Sequence, residues 1–285
     1  LFEPLGMKDT GYLAPNWSKD LMAQGYMYGA LPKGNGFDKY LNTGGVSWIL
    51  KGNGGLHSTL LDMHKWMAGL RGQKVLSSES MAQLTKRQVS QSDDGMVHYG
   101  YGWSIMTTLR DTSLVAHNGS NRVFYSEAFW LKEEDIQIIW LSNAATQFSM
   151  NLAWDVEAVL AEPKRALEPY ETQVEFTIAK ALNDFEGKPT ELKSWLATRA
   201  PQVLSDPRPL NSMGYDQLII RNLDLAIELF ELNSRFHSDN GNVWDSLGEA
   251  YFNVQAFAKA EASFRKALTL KGQDDCTWCQ NSHYY

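Results

Sequence analysis

The rhythm of hydrophobic and polar positions changes several times along the chain. Over residues 1–50 no period holds. Turn signals recur there, such as Pro32-Lys33-Gly34-Asn35-Gly36 and Asn42-Thr43-Gly44-Gly45, so mostly loop with short helical or strand pieces is expected. Long ordered loops inside a domain tend to build binding sites. From Leu60 the period becomes helical. Leu60, Met63, Met67 and Leu70 recur at helical spacing, Thr59 and Asp62 have capping-box form, and Gly72 supplies a stop. A second helix is expected after Ser77, through Met81 and Leu84.

The texture then turns to strand. Tyr99 to Ile105 sets aromatic and β-branched residues between glycines, and Leu114-Val115-Ala116, Tyr125 to Leu131 and Ile136 to Leu141 follow. The last two flank Lys132-Glu133-Glu134-Asp135, which reads as a hairpin turn. The apolar run Ile138 to Leu141 predicts a strand covered on both faces, with the helical stretch Thr146 to Leu160 as one cover. The fold class expected is α+β, an antiparallel sheet with packed helices. Pro163 and Pro169 bracket a charged segment that marks a domain boundary, giving one domain over 1–162. A linker with a helical segment over 163–204 follows, and then an all-α tail over 205–285.

That tail repeats itself. Gly214 and Gly248, Ala226 and Ala260, and Phe230 and Phe264 share one spacing, that of the roughly 34-residue tetratricopeptide pattern of paired antiparallel helices. The second copy is the fuller: Trp244, Leu247, Gly248 and Tyr251, then Ala260, Phe264 and Ala267; the first has Gln217 in place of Tyr251. About three copies are usually needed for stability alone, so two are expected to lean on residues 171–200 or on the main domain.

Composition narrows the function classes. A length of 285 residues gives room for about two domains, and 44% hydrophobic residues suffice for packed cores. The net charge is −7 and no lysine- and arginine-rich run could track a phosphate backbone, so nucleic acid is not an expected partner. No apolar stretch approaches the ~18 residues of a membrane-spanning helix. The opening Leu1 to Tyr12 reads as the middle of a domain, so the chain is expected to be a fragment. Cys276 and Cys279 near the end, with His283, admit three readings: a redox pair, part of a zinc site, or a frayed tail.

The segment Val115-Ala116-His117-Asn118-Gly119-Ser120 carries the candidate chemistry. Taken alone, Asn-Gly between β-rich flanks is a hairpin-turn signal. Other segments change that weighting. In order come Pro4-Leu5-Gly6-Met7 with Thr10, Gly54-Gly55-Leu56 with Ser58-Thr59 and Asp62-Met63, and Tyr99-Gly100-Tyr101-Gly102-Trp103. His117-Asn118-Gly119-Ser120 and Leu141-Ser142-Asn143 complete the series. It resembles the C-terminal half of the serine β-lactamase-related family, which includes penicillin-binding-protein-like D,D-peptidases, class C β-lactamases and esterases. Roughly residues 1–160 are covered.

The resemblance implies a β-lactamase/transpeptidase-like fold and an acyl-enzyme hydrolase acting on amides or esters of small peptides or D-amino-acid-like compounds, with no cofactor. Three motifs build the family's site: Ser-x-x-Lys, Tyr-x-Asn and Lys/His-x-Gly. His117-Asn118-Gly119 matches the third, so the nucleophile and base are expected upstream of Leu1 and this chain alone is expected to be inactive. By position the Ser120 backbone N–H would donate to an oxyanion, Gly119 would let substrate approach, and His117 would hold a carboxylate or polarise the site. Histidine in place of lysine, which unlike an unperturbed imidazole stays charged well above pH ~6.5, leans toward peptidase or esterase members. The aromatic stretch Tyr99 to Trp103, with Tyr101 and Trp103 as the substrate-binding candidates, either walls a substrate cleft or belongs to the sheet core. His57 and His64 are read as surface or packing residues. The family resemblance also favours a periplasmic or extracellular location, and the repeat tail offers a surface for a protein partner.

Overall fold

The structure is a computed structural model that describes residues 1–12, 19–36, 48 and 51–270. The chain separates into two compact units, Leu1–Glu171 and Thr172–Tyr285. The first is α+β. A two-stranded hairpin, β1 (Gly25–Met27) and β2 (Leu31–Gly34), precedes a six-stranded sheet in simple sequential order. That sheet comprises β3 (Val89–Ser90), β4 (Val97–Tyr99), β5 (Ser104–Thr107), β6 (Ser113–Ser120), β7 (Tyr125–Leu131) and β8 (Ile136–Ser142), all antiparallel.

Helices cover both faces of the sheet. Alternation along the strands puts Leu114, Ala116, Phe129 and Leu131 on one face, where they pack with Ala153 of α3 (Gln147–Ala161). Trp154 of the same helix meets Phe129 edge-on at 4.7 Å. The other face presents Val115 and Trp130 to Met67 and Leu70 of α1 (Leu60–Arg71) and to Met81 and Leu84 of α2 (Ser78–Leu84). β8 touches helices on both faces, yet every one of its residues is only half-buried because it is the last strand of the sheet.

Several local expectations are corrected by specific contacts. The turn read at residues 32–36 starts inside β2; the chain reverses at Tyr28 and Gly29, both with positive φ (54° and 80°). Asn42 to Gly45 lie outside the described residues. Thr59 caps α1 by accepting from the Asp62 N–H at 3.2 Å, but the Asp62 carboxylate does not return to Thr59 as a capping box requires. It accepts instead from the Asp9 N–H (2.7 Å), the Thr10 hydroxyl (3.0 Å) and Lys65 Nζ (2.8 Å). Burial alone would raise this carboxyl's pKa, and these donors hold it below the ordinary range. The residues around Thr10, Ser58 and Asp62 thus clip the opening segment onto α1. Gly72 stays at φ −78°, and the left-handed residue after α1 is Gln73 (φ 55°). Tyr99 to Ile105 is no continuous strand: Gly100 to Trp103 form the turn between β4 and β5, with Gly102 at φ 81°.

The second unit contains α4 (Val174–Asn183), α5 (Leu192–Arg199) and two helix hairpins, α6 (Arg208–Ile219) with α7 (Leu223–Phe236) and α8 (Gly241–Asn253) with α9 (Phe257–Thr269). The hairpins repeat one contact. A Cβ on Gly214 would lie 2.6 Å from the Phe230 ring, and one on Gly248 would lie 2.5 Å from Phe264. Glycine is required at both because the partner ring fills the space a side chain would take. Ala226, Phe230, Leu247, Ala250, Tyr251, Ala260 and Phe264 form the continuous core between the hairpins.

Candidate active site

The site is built by the unequal lengths of neighbouring strands. β6 is paired with β7 along its whole length, His117 opposite Ala128, Asn118 opposite Glu127, Gly119 opposite Ser126 and Ser120 opposite Tyr125. On its other side β5 stops at Ser104, opposite Ala116. His117, Asn118, Gly119 and Ser120 therefore extend past the end of β5 and are all exposed, whereas Leu114 to Ala116 are buried.

The hairpin-turn reading of Asn118-Gly119 is overturned. Both are strand residues, and the reversal falls at Asn121 to Phe124, with Arg122 at φ 72°. Asn121 Oδ1 accepts from the Val123 N–H (3.1 Å) and the Phe124 N–H (2.7 Å), so the asparagine that closes this turn is three residues past Asn118. Ser120 Oγ is drawn into the same turn, accepting from the Arg122 N–H at 3.1 Å.

Backbone polarity along β6 follows from two bonds. The Thr112 carbonyl accepts from Thr108 on the β5 side (2.8 Å), and the Ser113 carbonyl accepts from Lys132 on the β7 side (3.0 Å). In an antiparallel ladder the side alternates residue by residue, so even-numbered residues point their N–H and C=O toward β5. Asn118 and Ser120 are even-numbered and lie beyond the end of β5. Among the described residues no strand pairs with their backbone groups on that side. An extended ligand can add to such an edge, and an N–H there can donate to a developing oxyanion.

Side chains alternate as well. His117 and Gly119 share the face that carries α1 and α2. The His117 ring lies 6.2 Å from Trp103, edge-on, and 6.4 Å from Tyr99. A Cβ on Gly119 would meet only Ser126 Oγ, at 3.4 Å, so the fold leaves space over this residue. Tyr101 is 65% exposed at the tip of the β4–β5 turn, and no ring contact joins it to His117. Of the aromatic stretch, Tyr99 and Trp103 are thus the rings beside the imidazole. The Asn118 amide points to the opposite face, donating to the Tyr125 hydroxyl at 3.4 Å. Beside it lies Glu127, buried, with its carboxyl pKa lifted to about 7 by burial against the lowering effect of Tyr125 and Asn118. Burial and the neighbouring glutamate push the Tyr125 hydroxyl up to about 12.

The hairpin β1–β2 is fastened beside this strand end. The Tyr26 N–H donates to the Asn143 carbonyl at 2.8 Å, and Asn143 Nδ2 donates to the Gln24 carbonyl at 2.8 Å. Gly25 packs so closely on Val123 and Phe124 that a Cβ would lie 2.4 Å from Val123. The Leu141-Ser142-Asn143 segment thus holds the early loops against the β6–β7 turn.

Three motif spellings escaped the sequence reading. Tyr251-Phe252-Asn253 has Tyr-x-Asn spacing inside α8, but the Tyr251 hydroxyl donates to Glu231 Oε1 at 2.5 Å and Asn253 Nδ2 donates to the Glu249 carbonyl at 2.9 Å. Ser263 and Lys266 have Ser-x-x-Lys spacing, but Ser263 is buried within α9 and its hydroxyl donates to the Lys259 carbonyl at 3.0 Å. Tyr40-Leu41-Asn42 has Tyr-x-Asn spacing and lies outside the described residues, as do Cys276, Cys279 and His283. Among the described residues no helix is long and apolar enough to cross a membrane. His57 bridges to Gly11 through its backbone, and His64 is exposed and pairs with Gln137.

No curated protein matches the chain. Among solved structures, a penicillin binding protein from Bacillus halodurans is 20% identical, with a TM-score of 0.42, over 55% of this chain and 47% of that one. The octameric penicillin-binding protein homologue from Pyrococcus abyssi is 20% identical, with a TM-score of 0.40, over 54% of this chain and 36% of that one. The chain therefore spans less than half of either protein. The model of the family described as Beta-lactamase matches residues 1–162, more than half of the sequence, and the chain belongs to that family.

Proposed function

We propose that residues 1–162 contribute the third motif of a serine hydrolase site. The observation that carries this reading is the open edge of β6. His117 and Gly119 face one way, and the backbone groups of Asn118 and Ser120 face a side with no strand partner among the described residues. In this reading a substrate amide or ester lies along that edge, with its acyl oxygen taking the Ser120 N–H. Gly119 leaves room for the acyl group, and His117 holds or polarises it between Tyr99 and Trp103. The substrates are small peptides or D-amino-acid-like compounds.

The remaining chemistry belongs to residues outside this chain. A serine activated by a lysine attacks the carbonyl, the tetrahedral oxyanion collapses with loss of the leaving group, and water hydrolyses the acyl-enzyme. Ser263 and Lys266 do not supply that pair, since the hydroxyl is buried and engaged within α9. Residues 1–285 alone are thus inactive, because groups that act as a unit lose nearly all activity together.

A second reading concerns the helical unit. The recurring glycine–phenylalanine contact supports two tetratricopeptide-like repeats over 205–285, joined to the hydrolase domain by a 163–204 linker and available to a peptide segment of a protein partner. One experiment separates the roles. Full-length protein, residues 1–285 and a full-length form lacking 205–285 are incubated with a p-nitrophenyl ester and a penicillin-type acylating probe, and acyl adducts are weighed by intact mass spectrometry. The expected result is an adduct on the first and third only. An adduct on residues 1–285, or none on the full-length protein, contradicts the acyl-enzyme reading.

A further inference from the structure

The face of β6 opposite His117 carries a group that the proposed reaction does not use. Glu127 sits in the middle of β7 and is 3% exposed, while the next β7 residues on its face, Phe129 and Leu131, are fully buried apolar side chains. Register puts Asn118 directly opposite it on β6 and Trp140 opposite it on β8. A carboxyl is rarely placed so deep without a role for its oxygens. The groups facing it are the Tyr125 hydroxyl and the Asn118 amide. Its Oε2 and the Trp140 Nε1 are both buried without a hydrogen-bond partner among the described residues.

An apolar residue at this position would pack beside Phe129 and avoid that desolvation cost. What the glutamate adds is a carboxyl directly across the ladder from Asn118, beside the Tyr125 hydroxyl to which the Asn118 amide donates. Asn118 is the first β6 residue beyond β5 whose backbone groups face the open edge, and among the described residues the strand past Ala116 has a strand partner on one side only. Its alignment there depends on the β7 ladder and on whatever anchors its side chains.

We propose that Glu127 is a positioning residue for the open edge of β6, acting through the Asn118 amide to align the backbone groups of Asn118 and Ser120. The inference rests on the reading of that edge as the reaction site. Tyr125 is the titratable group that shares the cluster, and Trp140 and Ser142 face it from β8 without charge. On α3, Glu157 is engaged by Arg110 and Asp155 by Tyr170. An ionised carboxylate offers Tyr125 and Asn118 acceptors only, whereas a protonated one also carries a donor, so the interaction with Asn118 changes with its charge.

The test uses full-length protein in a His117→Gln background, which leaves β6 without an imidazole. Backbone amide shifts of Asn118 and Ser120 are followed by nuclear magnetic resonance between roughly pH 5 and 9, a range that brackets carboxyl titration raised by burial. Both amides are expected to titrate together with a midpoint near 7, and this titration should vanish in Glu127→Gln and move in Glu127→Asp. Amides that do not titrate, or that titrate unchanged in Glu127→Gln, overturn the proposal. If Glu127→Gln does not fold, an unmoved midpoint in Glu127→Asp overturns it instead. The shifts are read without substrate, so failure of the acyl-enzyme reading leaves them intact. Silent amides in an acylating protein would remove only the role of Glu127.

Discussion

At the scale of single residues, Glu127 couples folding to pH. Its carboxyl titrates at about 7 in the fold, above the ordinary 4.5, because burial disfavours the charged form. Between these values the folded state holds a proton that the unfolded chain has lost. Stability therefore falls as pH rises from about 4.5 through 7 and is level above it, a difference of roughly 3 kcal/mol for this group. Glu127→Gln is expected to abolish that slope, so that denaturant unfolding at pH 5 and pH 8 gives closely similar free energies for the position. A slope unchanged in the variant would show that another group carries it. Sequence reading passed over Glu127 because a lone glutamate in an alternating strand is usually a solvated position. Only the register reveals that its side of β7 faces α3 and that Asn118 lies across from it.

At the scale of elements, period and capping chemistry were legible wherever local forces dominate. The helix from Leu60, its cap at Thr59, the hairpin at Lys132 to Asp135 and the helix after Thr146 all appear as expected. The failures share a cause. Asn118-Gly119 has the local chemistry of a turn, yet a seven-residue ladder with β7 extends β6 through it, and Asn121 closes the reversal instead. Long-range pairing overrides a two-residue signal because it satisfies many backbone groups at once. Gly214 and Gly248 were legible as a repeat, and the structure supplies the reason in the rings of Phe230 and Phe264. Gly248→Ala is expected to destabilise the helical unit by roughly 1–3 kcal/mol through overpacking. Adding Phe264→Leu should relieve part of that loss, so the two changes are non-additive in thermal unfolding. Strict additivity would mean that the close approach is absent in solution.

At the scale of the whole molecule, the α+β class and the family were legible from the ordered series of short motifs, each tied to a structural task. Thr10, Ser58 and Asp62 clip the opening segment to α1, Asn143 fastens the β1–β2 hairpin, and His117 to Ser120 overrun β5. What the motifs could not convey is which neighbours complete the edge, since that depends on where β5 stops and on the face each side chain takes. The central claim is that this edge receives a reacting acyl group. Gly119 tests it most directly, because a Cβ there would meet only Ser126 Oγ, at the ordinary contact distance of 3.4 Å. The decisive measurement is the acylation rate of full-length Gly119→Val beside the unaltered protein, with thermal unfolding recorded on the same samples. The account predicts an unfolding temperature within a few degrees of the parent and acylation reduced by roughly a hundredfold or more, because the new side chain takes the space the acyl group needs and holds its carbonyl out of place at the Ser120 N–H. Acylation at the parental rate in a folded Gly119→Val protein would contradict it.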